Sequence, residues 1–310
     1  MPCRCPSVPV ALLLAALLLA SCGSVATPQP TGLLNITVSI APQRTFVERI
    51  GGQRVQVNVM VGQGDEPHTY EPKPEQLKLL AASQAYMRIR VEFEDTWLDR
   101  IAAANPSMLI VDTTRGIQRN PVAAPHLHDE TLVDGENGEA VHDEAEPENP
   151  DPHIWLSPAL ARVQAQTIFE ALAQLDPEHR DEYGLNLQAF LADIDSVDRD
   201  IRDTLDQLPA RKFMVFHPSW GYFASDYGLE MIPVEIGGQE PSAAEMAALI
   251  NMAREQQIKV IFAQPELSTR AAETIAREIG GEVLLISPLA PDWLQNLQRV
   301  AGAFAEALSR

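Results

Sequence analysis

Cysteine is nearly missing from this chain of 310 residues: there are three, Cys3, Cys5 and Cys22, all near the start. The body therefore cannot be stapled by disulfides, and its stability has to come from core burial, which a chain of this length can supply. Basic residues are also scarce, 23 Lys and Arg against 43 Asp and Glu, giving a formal charge of -20. That excludes a phosphate-backbone surface, which needs clustered cations, so no nucleic-acid partner is expected. Catalytic signatures are lacking too. There is no His-Glu-x-x-His and no Gly-x-Ser-x-Gly, and Gly62-Gln63-Gly64 lacks the rest of a dinucleotide or P-loop signature. No enzyme is read from this sequence.

The apolar run over residues 10–20, preceded by Arg4, is too short to cross a bilayer and reads as the core of a secretory leader. It ends in Leu19-Ala20-Ser21-Cys22-Gly23-Ser24, small residues before a cysteine, which resembles a bacterial lipoprotein processing site. The expectation is a signal peptide over 1–21, lipid on Cys22, and a Pro- and Thr-containing tether over 22–33 that holds the fold off the membrane. The location is then extracytoplasmic.

From residue 34 onward, strands and helices alternate. Strands are predicted over 34–40, 55–61, 85–91 and 108–111, with helices over 44–50, 74–82 and 97–105 between them. Ala41-Pro42-Gln43 reads as a break, and the close β-α-β order implies parallel pairing with crossovers. The pattern resumes after Asp151 with a helix from Ser157 or Pro158 to Leu175, then an uninterrupted helical pattern over 177–208. Strands follow at 212–216, 230–234, 260–263 and 283–286, with helices at 222–227, 243–256, 269–279 and 292–308. Ser242 and Glu245 form a capping box for the helix over 243–256. The fold class is therefore α/β, with two lobes, each a mostly parallel four-stranded sheet flanked by helices. The expected division is 34–176, a helix over 177–208 that either spans both lobes as a strut or packs on the surface, and 209–310.

Residues 118–150 break the pattern. His126, His128 and His142 lie there among many Asp and Glu residues, with few apolar anchors, so the segment reads as a mobile acidic loop. Weak metal relay and simple solubilisation explain those histidines equally well.

Three other histidines fall where a ligand is expected, in loops around the carboxyl ends of strands or ahead of a helix. His68 lies in Glu66-Pro67-His68-Thr69-Tyr70-Glu71-Pro72, a loop stiffened by Pro67, Pro72 and Pro74. His153 lies in Asp151-Pro152-His153-Ile154-Trp155-Leu156-Ser157-Pro158, and His217 in His217-Pro218-Ser219-Trp220-Gly221. Separated so widely, they are no zinc finger and converge only through tertiary folding. Imidazoles suit zinc, copper, nickel and iron, whereas manganese prefers oxygen. Glu66, Asp151, Glu240 and Ser219 are candidates for fixing the rings. His179 reads as an exposed helix residue.

These motifs, with Glu240-Pro241-Ser242, resemble the metal-binding solute receptors of bacterial ABC importers, the zinc and manganese group, over nearly the whole mature chain. The resemblance implies two lobes joined by a rigid helix, metal held between them, and delivery of Zn2+ as cargo to a membrane ABC permease by a lipid-anchored monomer. It makes His68, His153 and His217 the ligands, with His153 on the first lobe. His217 favours zinc, since the manganese members usually carry Glu at that position. It also implies an Asp near the last strand, where this chain has Ser287-Pro288-Leu289. A water, Glu66 or Asp292 is left to fill the fourth position, and Glu240 is a further acid near the site. The alternatives are a manganese or iron receptor of the same class and a metal-dependent surface adhesin.

Overall fold

The structure is a computed structural model that describes residues 1, 32–67, 69–124 and 150–309. The chain divides into a unit Met1–Gly32 and a unit Leu33–Arg310, and the architecture that follows is that of the second. The leader beyond Met1, Cys22, the tether up to residue 31, His68, and the loop histidines His126, His128 and His142 lie outside the described residues.

The first sheet contains β1 (Leu34–Ile40), β2 (Val55–Val61), β3 (Ala85–Arg88) and β4 (Leu109–Asp112), in the order β2-β1-β3-β4 with all pairs parallel. β1 is buried along almost its whole length, without alternation, because helices cover both faces of a parallel sheet. Those helices are α1 (Ala41–Gly51), α2 (Pro74–Ala81) and α3 (Glu92–Ala104). Then come α4 (Pro158–Leu175) and α5 (Arg180–Leu205), separated by a short 3-10 turn, Pro177–His179. The second sheet repeats the first: β5 (Lys212–Val215), β6 (Glu230–Pro233), β7 (Val260–Ala263) and β8 (Glu282–Leu285), parallel, in the order β6-β5-β7-β8. Its helices are α6 (Gly221–Asp226), α7 (Ala243–Glu255), α8 (Arg270–Ile279) and α9 (Trp293–Leu308).

The two-lobed α/β reading holds, with α5 as the long continuous helix that links the lobes. Phe46 of α1 meets Phe190 of α5 at 5.4 Å between ring centroids. On the other lobe, α9 packs along α5, and Gln298 donates to Asp200 at 3.1 Å. Several boundaries differ from the sequence reading. α1 begins at Ala41 because Pro42 sits in its first turn, where a missing N–H costs nothing. β3 ends at Arg88 and α3 starts at Glu92, since the alternation over 85–91 stops at Arg90, whose φ of 60° leaves the extended region. The helical pattern over 177–208 opens with the 3-10 turn Pro177–His179, and Asp176 just ahead of it accepts from the Tyr183 hydroxyl and the His179 ring, both at 2.7 Å. His179 is thus a bonded corner residue.

One hydrophobic core runs through both lobes. It includes Ile36, Phe46 and Tyr86 of the first sheet and helices, Phe190 of α5, and Phe213, Phe262, Trp293 and Phe304 of the second lobe. A separate cluster of Met214, Ile232, Leu249, Ile261 and Ile275 fills the outer face of the second sheet. The lobes are therefore not beads on a string. Thr45 donates to the Pro291 carbonyl at 2.6 Å, and Trp293 stands edge-on to Phe46 at 4.8 Å.

Candidate metal centre

Both sheets aim the carboxyl ends of their strands at one small cavity, as α/β ligand sites require. The loop after β2 contributes Glu66 and Pro67, and the loop after β3 contributes Val91 and Glu92. The segment ahead of α4 contributes Pro152, His153 and Trp155. From the second lobe come His217 after β5, Gln264 after β7, and Pro288 and Leu289 after β8. The free volume is about 10 Å3. A single water needs about that much, so the cavity is of the size of a bare ion or one water.

His153 and His217 face one another with ring centroids 5.3 Å apart and planes at 71°. Each is held by a carboxylate. Asp151 Oδ1 accepts the backbone N–H of His153 at 2.9 Å and lies 2.7 Å from its Nδ1. Glu235 Oε2 lies 2.6 Å from Nδ1 of His217. A carboxylate on Nδ1 keeps the proton there as donor and leaves the Nε2 lone pair for a cation. Asp151 is 2% exposed, His153 6% and His217 7%, so neither ring is a surface residue.

Local structure explains the placement. Ser157 caps α4 by accepting the Leu160 N–H at 3.2 Å, which starts the helix directly after the 3-10 turn Ile154–Leu156. The segment before the cap is fastened to the second lobe. Tyr222 donates its hydroxyl to the Asp151 carbonyl at 3.1 Å, Trp155 Nε1 donates to the Pro288 carbonyl at 2.7 Å, and Ser157 donates to Asp226 at 2.6 Å. Gly221 opens α6 against Asp151, and a Cβ there would stand 3.1 Å from Asp151 Oδ2. His153 thus sits on a segment bound to the second lobe, although it precedes the linking helix in the chain. These bonds join residues up to 133 positions apart.

The other acids named from sequence lie in different places. Glu66 lines the cavity, and its Oε2 accepts the N–H and hydroxyl of Thr69 at 3.0 and 2.9 Å. Asp292 forms a two-point pair with Arg299 at 2.6 and 3.0 Å, on a separate cavity of about 500 Å3. The guanidinium holds its carboxyl below the usual range, and it does not line the histidine cavity. Glu240 is exposed in the turn before α7. Ser219 is buried and bonded to Gln264, which lines the cavity. Ser287 donates to Glu266 at 2.5 Å. Among the described residues, no group of three or more His, Cys, Asp and Glu side chains is arranged to hold a metal, and the described part of the centre is the histidine pair. Sequence reasoning missed Glu235, Gln264 and Glu92. Glu235 lies two residues after β6, as His217 does after β5, and Gln264 directly follows β7, all at strand ends.

A family model described as ZnuA, zinc-uptake complex component A, periplasmic, matches residues 36–307. The chain is 28% identical over 284 residues to the high-affinity zinc uptake system protein ZnuA of Bacillus subtilis, covering 88% of this chain and 85% of that protein. It is 27% identical over 288 residues to the zinc-binding lipoprotein AdcA of Streptococcus pneumoniae, of which it spans 55%. Among solved structures, it is similar to a crystal structure of ZnuA, at 44% identity and a TM-score of 0.79, covering 89% of this chain and all of that one. A zinc-bound ZnuA lacking residues 138–173 gives 44% identity and a TM-score of 0.80, with 90% of this chain and 99% of that one covered. A laminin-binding protein of Streptococcus agalactiae, at 21% identity and a TM-score of 0.74, shares the fold. With its two lobes, strand-end cavity and matched span, the chain belongs to the ZnuA family of periplasmic zinc-uptake components, which are non-catalytic solute-binding proteins.

Proposed function

We propose that this protein captures Zn2+ outside the cytoplasm through the imidazoles of His68, His153 and His217, and delivers it to a membrane ABC permease. The observation that carries the reading is the pair of carboxylates, buried Asp151 and partly buried Glu235, on the Nδ1 atoms of His153 and His217. A surface histidine has no need of such a partner, whereas a ligating histidine uses it to fix its tautomer and raise its basicity. The same two acids answer the charge problem. Neutral imidazoles leave the cation's two positive charges uncompensated, and Asp151 and Glu235 supply two negative ones through the rings. A carboxylate in place of Ser287 is then unnecessary, and a water or Glu66 completes the sphere.

Nitrogen donors favour zinc over manganese. The curated relatives named above are themselves described as zinc-uptake or zinc-binding proteins, which supports the same cargo. The partner is an ABC permease, and the protein acts as a monomer anchored through lipid on Cys22. Calorimetric zinc titration of the His68→Ala, His153→Ala and His217→Ala proteins tests the site. Each change is expected to weaken binding by at least about a hundredfold, and unaltered affinity in all three sinks the reading.

A further inference from the structure

The most completely buried acid near the centre is not among its proposed ligands. Glu94, in the first turn of α3, is 0% exposed. Every group around its carboxylate is a donor or is able to donate. Oε1 accepts the Ile89 N–H at 3.1 Å and the Tyr86 hydroxyl at 3.1 Å, and is also bonded to the Ser39 hydroxyl. Oε2 accepts the Arg90 N–H at 2.7 Å and Nε of Arg88 at 3.2 Å. Burial pushes this carboxyl up, and the hydroxyl and amide donors pull it back. An ordinary fold has little reason to bury a carboxylate among five donors when an apolar residue would pack more cheaply.

The location explains it. The two amides that Glu94 holds belong to Ile89 and Arg90, and Arg90 has a φ of 60°, unfavourable for a residue with a side chain. The next two residues, Val91 and Glu92, form a wall of the histidine cavity. Arg90 is tied from its other end, with Nε 2.7 Å from Asp112. Glu94 also donates its own backbone N–H to the Val91 carbonyl at 3.0 Å. The carboxylate therefore bonds the bend that delivers Val91 and Glu92 to the cavity.

We propose that Glu94 is a positioning residue for cation binding: by clamping the Ile89 and Arg90 amides it sets the wall formed by Val91 and Glu92. The inference rests on the reading of the cavity as a zinc site. It takes Glu94 to act through the backbone, without touching the ion. A cavity with room for a bare ion or one water tolerates little displacement of its wall, so a loosened bend is felt as lost affinity.

The test is Glu94→Gln in the full chain, with Ile275→Val as a control. Ile275 is buried in the separate cluster of the second lobe, so its truncation lowers stability away from the cavity. Expected for Glu94→Gln are faster hydrogen exchange at the Ile89 and Arg90 amides and roughly tenfold weaker zinc binding. Ile275→Val should bind zinc as the wild type does. Zinc affinity within twofold of wild type in a folded Glu94→Gln protein overturns the proposal, as does equal weakening by Ile275→Val. If Glu94→Gln does not fold, Tyr86→Phe removes one donor and keeps the ring. It must then weaken zinc binding severalfold, and unchanged affinity overturns the proposal. A wild-type protein that takes up no zinc shows instead that the reading of the site is wrong, and the Glu94 inference falls with it.

Discussion

Trp293 donates its indole N–H to the carbonyl of Trp155 at 2.7 Å, and both rings are 1% exposed. The bond ties the first turn of the last helix to the segment that carries His153, across 138 residues of chain. Together with the Trp155 bond to Pro288, it fixes His153 relative to the second lobe, which also carries His217. Trp293→Phe removes the donor and leaves a buried carbonyl without its partner. An unsatisfied buried group costs about 1–3 kcal/mol, and a loss of that order is expected in urea unfolding, with zinc affinity reduced as well.

Asp151→Asn and Glu235→Gln each keep the shape of the side chain and remove a charge from beside an imidazole. Both should weaken zinc binding by about 10- to 100-fold, read by competition with a chromophoric chelator. An equal loss from the two variants is expected, because each carboxylate holds one Nδ1.

Gly221→Ala tests the contact between α6 and Asp151. Its added Cβ stands 3.1 Å from Asp151 Oδ2, tighter than normal packing, so the carboxylate has to shift by a few tenths of an ångström. A severalfold fall in zinc affinity with a nearly unchanged melting temperature is expected. A melting temperature that falls while affinity stays the same contradicts it.

The Ser157 and Asp226 contact carries a pH dependence. Burial raises the Asp226 carboxyl, and Asp198 adds to this, while the Ser157 hydroxyl lowers it. An acid whose folded pKa is raised contributes stability that is fully present below its unfolded pKa and lost as pH rises through the folded value. The stability of wild type relative to Asp226→Asn should therefore be greatest near pH 4 and fall toward pH 7. Paired denaturation curves at the two pH values read it directly.

Because a single core joins the lobes, large domain closure is not expected. Phe46, Phe190, Trp293 and Phe304 belong to one cluster, and opening it would expose buried aromatic surface. Small-angle scattering should give radii of gyration for zinc-free and zinc-loaded protein that differ by less than about 1 Å.

The sequence reading singled out His153 and His217, whose rings the fold brings face to face, because position at a strand end or ahead of a helix cap is a local property. The alternation of strands and helices was local as well, and so were the Ser242 and Glu245 capping box, realised at 3.3 and 2.7 Å, and the parallel pairing of β1 and β2. What escaped it was pairing at a distance. Glu235 meets His217 only because β5 and β6 lie side by side, and its strand-end position alone does not say which ring it reaches. Asp292 was attractive because it follows the last strand, yet Arg299 sits two turns along the same helix and takes its carboxylate. Glu94 escaped for a related reason: the sequence reading began the helix at 97, which left Glu94 between the predicted strand and helix, whereas α3 begins at Glu92. Only the bend at Arg90 turns it inward, and a bend with positive φ at a non-glycine residue has no sequence signature.

X-ray absorption at the zinc edge of the loaded protein tests the central claim most directly. Three imidazole nitrogens at about 2.0–2.1 Å, with the outer-shell scattering of histidine rings and one further light ligand, is the expected result. A shell dominated by oxygen, or one with fewer than two imidazoles, would contradict the assignment of His153 and His217 as the paired core of the site.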